Sequence, residues 1–272
     1  MTRQKRIKAI CTDIDGTLLN ADRWLSDRTI HAFAKAHVPK ILASSRMPRA
    51  MRYLQEGLSI QNAPLIAYNG GLILGENGAQ LQSTTFSTAV LKALIPHHRE
   101  HSYNLSIYSY DHWFTQQKDE WTAREINNTR TAPTFQSDTE SLAFLENKKL
   151  GIHKLMCMGT PEAIESILHF LEHDFKDIVH FYRSKDTYIE ITPKAIDKAK
   201  ALEFLLPQSY DFGMEDVIAF GDNHNDDALL KAAGLGVAVG NATPNLKALA
   251  DVTVDVTNKE NAVAIAIERY LL

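Results

Sequence analysis

The sequence predicts an α/β fold, a doubly wound parallel sheet with a smaller α+β unit inserted into it. Three observations carry this. Short apolar strands alternate with amphipathic helices up to residue 68, and the same alternation returns near the C-terminus. Between residues 84 and 187 the texture changes to alternating strands with two helical stretches. Polar residues gather where the strands of the alternating stretches end, and open parallel sheets keep their functional crevice there.

Taken in order, Ile7 to Thr12 reads as a buried strand running into Asp13-Ile14-Asp15-Gly16-Thr17. On extended backbone, side chains two residues apart point the same way. Asp13 and Asp15 therefore face one small site, and carboxylates that close repel unless a cation or proton lies between them. Gly16 lets the chain turn sharply straight afterwards. A nucleophile, a proton carrier and a divalent cation all fit this pattern; an Asp-Gly surface turn fits it too. Ser26 is a good N-cap for a helix over Thr29 to Ala36, with Ile30, Phe33 and Ala34 at helical spacing. Lys40 to Ala43 is a short strand ending at Ser44-Ser45-Arg46, and a helix follows over Pro48 to Glu56. Pro64 to Tyr68 is a third strand, ending at Asn69-Gly70-Gly71. Leu72 to Leu74 and Ala79 to Ser83, joined across Asn77-Gly78, read as a hairpin.

The insert, residues 84–187, is expected to hold a helix over Ala89 to His101 and one alternating strand over Asn104 to Phe114. A polar stretch comes next, then a strand over Ile152 to Met158, a helix from Thr160-Pro161-Glu162 to His173, and a strand over Ile178 to Tyr182. The parallel pattern is expected to resume at the strand Tyr188 to Thr192, so the core comprises 1–83 and 188–272. A helix over Asp197 to Leu206 leads to the strand Asp216 to Phe220, which ends at Gly221-Asp222-Asn223-His224-Asn225-Asp226. The next helix stops at Gly234, a good C′ residue. Strand Leu235 to Val239, helix Asn245 to Ala250, strand Val252 to Val256 and a terminal helix from Asn261 complete the chain.

If the strands before Asp13 and Asp222 share a sheet, Asp13, Asp15, Asp222 and Asp226 meet in one crevice. Four carboxylates there need a strong cation, and all-oxygen ligands suit Mg²⁺. N-capping of the following helix is the other reading of Asp222 and Asp226, although one acid suffices for it. Lys198 opens a helix, where the dipole disfavours a cation. It is either a partner for the acids or a solvated lysine, with Lys194 and Lys200 as competitors.

The ordered set Asp-x-Asp-Gly-Thr, a hydroxyl residue after a strand, a lysine, and Gly-Asp-x-x-Asn-Asp resembles the haloacid dehalogenase superfamily. The insertion between hydroxyl and lysine, with Ile-Thr-Pro-Lys-Ala-Ile-Asp-Lys198 and Gly-Val-Ala-Val-Gly-Asn-Ala242, is similar to the Cof-type branch. The resemblance implies a Rossmann-like core with an α+β cap and a Mg²⁺-dependent phosphatase acting through an aspartyl phosphate. It makes Asp13 the nucleophile and Asp15 the proton carrier. Ser44, Lys198, Asn225 and Gly16 are implied as phosphate contacts, and Asn69 as a candidate near the leaving group. The metal ligands it implies are Asp13, Asp15 through its carbonyl, Asp222 and Asp226. This chain departs from the usual Ala-Thr-Gly-Arg at Ala43-Ser44-Ser45-Arg46, where Ser45 replaces a glycine; Ser44 is favoured over Ser45 as the phosphate contact. Ala195 and Ala199 stand where glycines are common near the lysine.

The expected partner is a small phosphorylated metabolite, such as a sugar phosphate or phosphorylated cofactor. A phosphomutase using the same chemistry, and a metabolite-binding regulatory protein, are the alternatives; a mere binder has no need of Asp15. The net charge of -4 offers no basic field for nucleic acid or membrane. Cys11 and Cys157, far apart among apolar neighbours, point to a cytoplasmic home, and no oligomeric state is specified. The basic start, Met1 to Lys8, precedes an apolar run too short for a signal peptide. His97-His98-Arg99-Glu100-His101 spells a zinc-peptidase motif. A zinc site needs a third ligand, which nothing in the sequence singles out, and the run reads better as a polar helix end. Arg183 and Lys185 are candidates for contacting anionic substrates.

Overall fold

The computed structural model describes residues 7–272, so Met1 to Arg6 of the basic start lie outside the described residues. The chain divides into two units. One holds the chain up to Arg46, Met51–Ser83 and Ile196–Leu272; the other holds Met47–Ala50 and Thr84–Ala195.

The first unit opens with β1 (Ala9–Thr12), α1 (Asp27–Lys35), β2 (Lys40–Ala43), α2 (Arg49–Gly57), β3 (Leu65–Ala67), β4 (Leu72–Leu74) and β5 (Gln80–Ser83). All four residues of β1 are buried, as a strand covered on both faces requires. Ser26 caps α1 as the sequence predicts, its Oγ accepting from Thr29 N at 3.1 Å. Between β3 and β4 the chain reverses through Tyr68 and Asn69, both left-handed with φ 53° and 55°.

The second unit runs α3 (Thr88–Glu100), β6 (Tyr103–Ser109), β7 (His112–Thr115), α4 (Glu120–Thr129), β8 (Thr134–Phe135), α5 (Asp138–Lys148), β9 (Lys154–Gly159), α6 (Pro161–Asp174), β10 (Val179–Lys185) and β11 (Tyr188–Pro193). Its six strands lie in the order β10-β11-β9-β6-β7-β8. All pairs are antiparallel except β7 with β8. Three expectations are corrected here. The strand predicted over Asn104 to Phe114 is a hairpin, broken where Tyr110 takes a left-handed φ of 52°. The polar stretch after it forms α4 and α5, the latter opened by a Ser137–Glu140 capping box. The strand at Tyr188 pairs antiparallel with β10 and β9, so it belongs to this sheet and the boundary predicted at 188 falls instead at Ala195. Its sequence carried the reason: Ile189 and Ile191 are fully buried while Tyr188 and Glu190 are not. That alternation marks a half-buried strand, whereas a central parallel strand reads as a continuous apolar run.

The chain then completes the first unit with α7 (Lys198–Ser209), β12 (Val217–Gly221), α8 (Asp227–Ala232), β13 (Leu235–Ala238), α9 (Pro244–Leu249), β14 (Val252–Thr253) and α10 (Ala262–Tyr270). Its eight-stranded sheet has the order β14-β13-β12-β1-β2-β3-β4-β5. The six strands from β14 to β3 are parallel, and the β4–β5 hairpin adds an antiparallel edge. From β1 the chain winds outward one way through β2 and β3, then returns to β12 and winds the other way. The switch point between β1 and β12 is where such sheets bind ligands. Asp13 follows β1, Asp222 follows β12, and Asp13 N donates to Phe220 O at 3.0 Å. Among the described residues no helix is long and apolar enough to cross a membrane.

Candidate active site

Four charged side chains from three distant parts of the chain meet beyond the ends of β1 and β12. Lys198 Nζ donates to Asp13 Oδ1 at 2.5 Å and to Asp226 Oδ1 at 2.7 Å. Lys198 and Asp226 are completely buried, and Asp13 nearly so. The solvated reading of Lys198 is thereby excluded. Asp222 joins the group, its Oδ1 accepting from Thr17 Oγ1 at 3.1 Å. Asp13, Asp222 and Asp226 each bring one carboxylate oxygen within 4.8 Å of the others.

The electrostatics of this cluster are unbalanced. Burial pushes the Asp13 carboxyl well above the usual carboxylate range; Lys198 pulls it back, and Asp226 and Asp222 push it up again. Burial, with Asp226 beside it, pushes Asp222 up to about 6. Lys198 is raised because its two carboxylates outweigh the burial that opposes its charge. Three carboxylates against one lysine thus leave an unmet demand for positive charge. A set of hard oxygen donors with that deficit fits a divalent cation.

Neither late acid supplies the N-cap side chain: Asn223 takes that place, and Asp226 completes its capping box. Asp226 Oδ2 accepts from Asp222 N at 3.0 Å and Asn223 N at 3.2 Å, closing the turn after β12. Asp222 makes no such bond and stays directed at the cluster through Thr17. Gly16 is needed beside it. Its φ is +81°, and a Cβ there would run into the Asp222 carboxylate.

Asp15 sits apart from the lysine. Arg46 grips its carboxylate with two bonds, Nε to Oδ2 at 2.7 Å and Nη2 to Oδ1 at 2.8 Å. Arg23 Nη2 adds a bond to Oδ1 at 2.5 Å. Burial pushes this carboxyl up, but Arg46 and then Arg23 outweigh it and hold it below the usual range. Arg46 is itself buried, with Nη1 donating to Tyr53 Oη at 2.9 Å.

The ends of β2 and β3 bring in the remaining candidates. Ser44 is buried, its N donating to Ile66 O at 2.9 Å and its carbonyl accepting from Asn69 N at 2.8 Å. Its Oγ accepts from Arg46 N at 3.3 Å. Asn69 is tied in turn to the β12 loop, where Asn225 Nδ2 donates to its Oδ1 at 3.1 Å. Ser45 does not take the left-handed conformation that a glycine there would permit, so the loop accommodates it without that strain.

Comparison with known proteins decides the family. Residues 10–267 match the family described as haloacid dehalogenase-like hydrolase. The chain belongs to the haloacid dehalogenase superfamily. Its Cof-type branch and phosphatase character are borne out by relatives over the full chain. A phosphatase-named protein of Haemophilus influenzae is 30% identical over 269 residues, covering 96% of this chain and 97% of that protein. The 5-amino-6-(5-phospho-D-ribitylamino)uracil phosphatase YcsE of Bacillus subtilis is 29% identical, covering 98% and 96%. The crystal structure of a haloacid dehalogenase-like hydrolase from Bacteroides thetaiotaomicron superposes with a TM-score of 0.86 at 28% identity, covering 97% and 99%.

Arg23 and Arg46, which hold Asp15, are not among the contacts expected from the sequence motifs. Arg46 had a usable signal, since it lies two residues beyond Ser44 at the same strand end. Arg23 had none at the level of strand ends, because a turn carries it there. Of the other sequence candidates, His97, His98 and Arg183 lie in the second unit and are engaged there, while Lys185 is exposed. His97 bonds Tyr103 Oη at 3.2 Å and Ser166 Oγ at 3.0 Å through its two ring nitrogens. His98 bonds Asp138 and the Tyr103 carbonyl. Arg183 Nη1 donates to Glu165 at 2.7 Å.

Proposed function

We propose that this phosphatase is a Mg²⁺-dependent phosphomonoesterase that hydrolyses small phosphorylated metabolites through an aspartyl phosphate on Asp13. One observation carries the reading: a buried carboxylate, Asp13, paired to a buried lysine and flanked by Asp222 and Asp226 at the switch point of the sheet. A nucleophile needs this setting, with a cation at hand and water excluded.

Asp13, the Asp15 carbonyl and Asp222 would hold the Mg²⁺, with Asp226 in support. When bound, the ion would offset repulsion between the anionic nucleophile and the anionic phosphate. The rest belongs to the chain's own residues. An Asp13 carboxylate oxygen attacks phosphorus, the bond from phosphorus to the ester oxygen breaks, and Asp15 gives that oxygen a proton. In the second half, Asp15 takes a proton from water, the water oxygen bonds to phosphorus, and the Asp13 carboxylate is restored. Lys198 and Ser44 hold the phosphoryl oxygens as charge moves onto them. Asn225, Asn69 and the backbone at Gly16 line the same strand ends. Asp15 rests ionised between its arginines, ready as the base; an arriving phosphoryl dianion raises its carboxyl toward the acid form.

The Bacillus subtilis relative is named for a small phosphorylated substrate, in keeping with a metabolite rather than a macromolecule for this chain. The buried, unbridged Cys11 and Cys157 are in keeping with the reducing cytoplasm. The test is phosphate release from a panel of phosphorylated metabolites, with Mg²⁺ and with chelator, beside an Asp13→Asn control. Turnover that needs both Mg²⁺ and Asp13 is the expected result. Turnover indifferent to either would overturn the reading.

A further inference from the structure

We propose that Arg23 is a positioning residue for Asp15, the loop-borne half of a two-arginine clamp that aims the Asp15 carboxyl at the leaving oxygen. The proposal rests on Asp15 being the proton carrier described above.

Arg46 alone already makes a complete two-bonded pair with Asp15. Such a pair meets the charge of a carboxylate. Arg23 is therefore surplus to the needs of charge pairing, and the chain holds it there against two penalties. Its backbone is left-handed at φ 55°, in a residue with a full side chain. Its Nε is buried with no hydrogen-bond partner among the described residues. Unfavourable backbone and unmet donors persist where the surroundings over-determine them, and such places cluster at functional sites.

The surroundings do over-determine Arg23. Asn20 Oδ1 accepts from Asp22 N and from Trp24 N, both at 3.0 Å. Asn20 N donates to Trp24 O at 2.9 Å, and Arg23 N donates to Asn20 O at 3.1 Å. This closed turn fixes where the Arg23 side chain starts. The Trp24 ring then stacks on Tyr53 with centroids 5.4 Å apart and planes 11° from parallel. The Tyr53 hydroxyl accepts from Arg46. Asp15, Arg46, Tyr53, Trp24 and Arg23 thus form a ring of contacts that returns to Asp15.

The ring distinguishes the two oxygens of Asp15. Oδ1 accepts from both arginines, whereas among the described residues Oδ2 accepts from Arg46 Nε alone. Oδ2 is the less encumbered oxygen and is assigned as the one that carries the proton. As the ester oxygen leaves phosphorus and the Asp13 oxygen bonds to it, the proton passes from Oδ2 to the ester oxygen. The negative charge left on Asp15 is received by two guanidinium groups already in place. Without Arg23, the carboxyl hinges on Arg46 and Oδ2 loses its aim.

The test compares Arg23→Ala and Arg23→Lys with wild type on an alkyl phosphate and on 4-nitrophenyl phosphate, whose leaving group departs as a stable anion. For Arg23→Ala we expect the single-turnover rate of alcohol release from the alkyl phosphate, read before the common hydrolysis step, to fall about tenfold to a hundredfold, and that of nitrophenol release to fall less than about threefold. KM should stay within about twofold on both, since the lost interaction acts in the transition state. Arg23→Lys, which keeps the charge and one donor, should recover part of the alkyl phosphate rate and serves if the alanine variant does not fold. Equal losses on both esters, a raised KM with kcat intact, or no loss at all would overturn the proposal while leaving the phosphatase reading in place. Wild-type protein that releases phosphate from neither ester overturns that reading, and this proposal with it.

Discussion

Lys198 Nζ and Asp226 Oδ1 lie 2.7 Å apart, and solvent reaches neither side chain. The same ammonium group serves Asp13. A buried lysine between two carboxylates costs desolvation, and removing one member strands the others. Lys198→Met should therefore lower kcat by about a hundredfold or more, the scale of losing a charge aimed at the transition state. It should also lower the melting temperature in chelator, with Mg²⁺ restoring part of the loss. Steady-state kinetics and thermal unfolding, each with and without Mg²⁺, check both outcomes.

Asp222 gives the cluster a pH signature. Its carboxyl is pushed up to about 6 in the folded chain, above the ordinary carboxylate value of about 4. The folded state thus favours the protonated form. That contribution to stability is whole below the unfolded value and is lost as pH rises through about 6. Metal-free protein should lose stability over this interval, and Mg²⁺ binding should release protons and tighten across it. Calorimetric titration of Mg²⁺ in buffers of different ionisation enthalpy reads the released protons directly.

Glycine at position 16 is a requirement of the same site. Ala at φ +81° is strained by about 1–2 kcal/mol, and its methyl group would displace the Asp222 carboxylate. Gly16→Ala should fold, bind Mg²⁺ more weakly and lose turnover. The Mg²⁺ concentration at half-maximal activity is the quantity to compare with wild type.

The second unit has a pH signature of its own. His98 bonds the Asp138 carboxylate through Nδ1 at 2.5 Å and the Tyr103 carbonyl through Nε2 at 2.7 Å. A carboxylate and a carbonyl both accept, so the pair of partners favours the ring with both nitrogens protonated. Burial opposes the charge this brings, but Asp138 and the carbonyl outweigh it and raise the pKa. The stabilisation is whole below the unfolded histidine value and is lost as pH rises through the raised one. His98→Gln should remove this dependence and cost roughly 1–3 kcal/mol at low pH, the worth of charge-assisted hydrogen bonds. Urea unfolding on either side of neutral pH, for wild type and variant, measures it.

Much of the first unit was legible because its physics is local. Asp13 and Asp15 announce themselves by spacing, and Ser26 announces its helix. Asp222 and Asp226 were found as a pair, but only the structure divides their work into a carboxylate facing the cluster and a capping-box acid that also holds Lys198. Lys198 itself was not decidable locally, because its partners Asp13 and Asp226 come from strand ends that only the sheet order brings together. Arg23 was invisible for a related reason: a surface turn reads as a connector until its side chain is seen on Asp15. In the second unit, the capping box at Ser137 and the alternation at Tyr188 were both present in the sequence. The first was passed over in a polar stretch. The second was assigned to the wrong sheet because strand order is not a local property.

A phosphoryl group on Asp13 can be trapped chemically. Enzyme mixed with substrate and Mg²⁺, quenched within one turnover and treated with borohydride, converts an acyl phosphate to an alcohol that mass spectrometry locates. Reduction at Asp13, dependent on substrate and absent in chelator, is the expected result. Turnover without any reduced aspartate, or reduction at a different carboxylate, would contradict it.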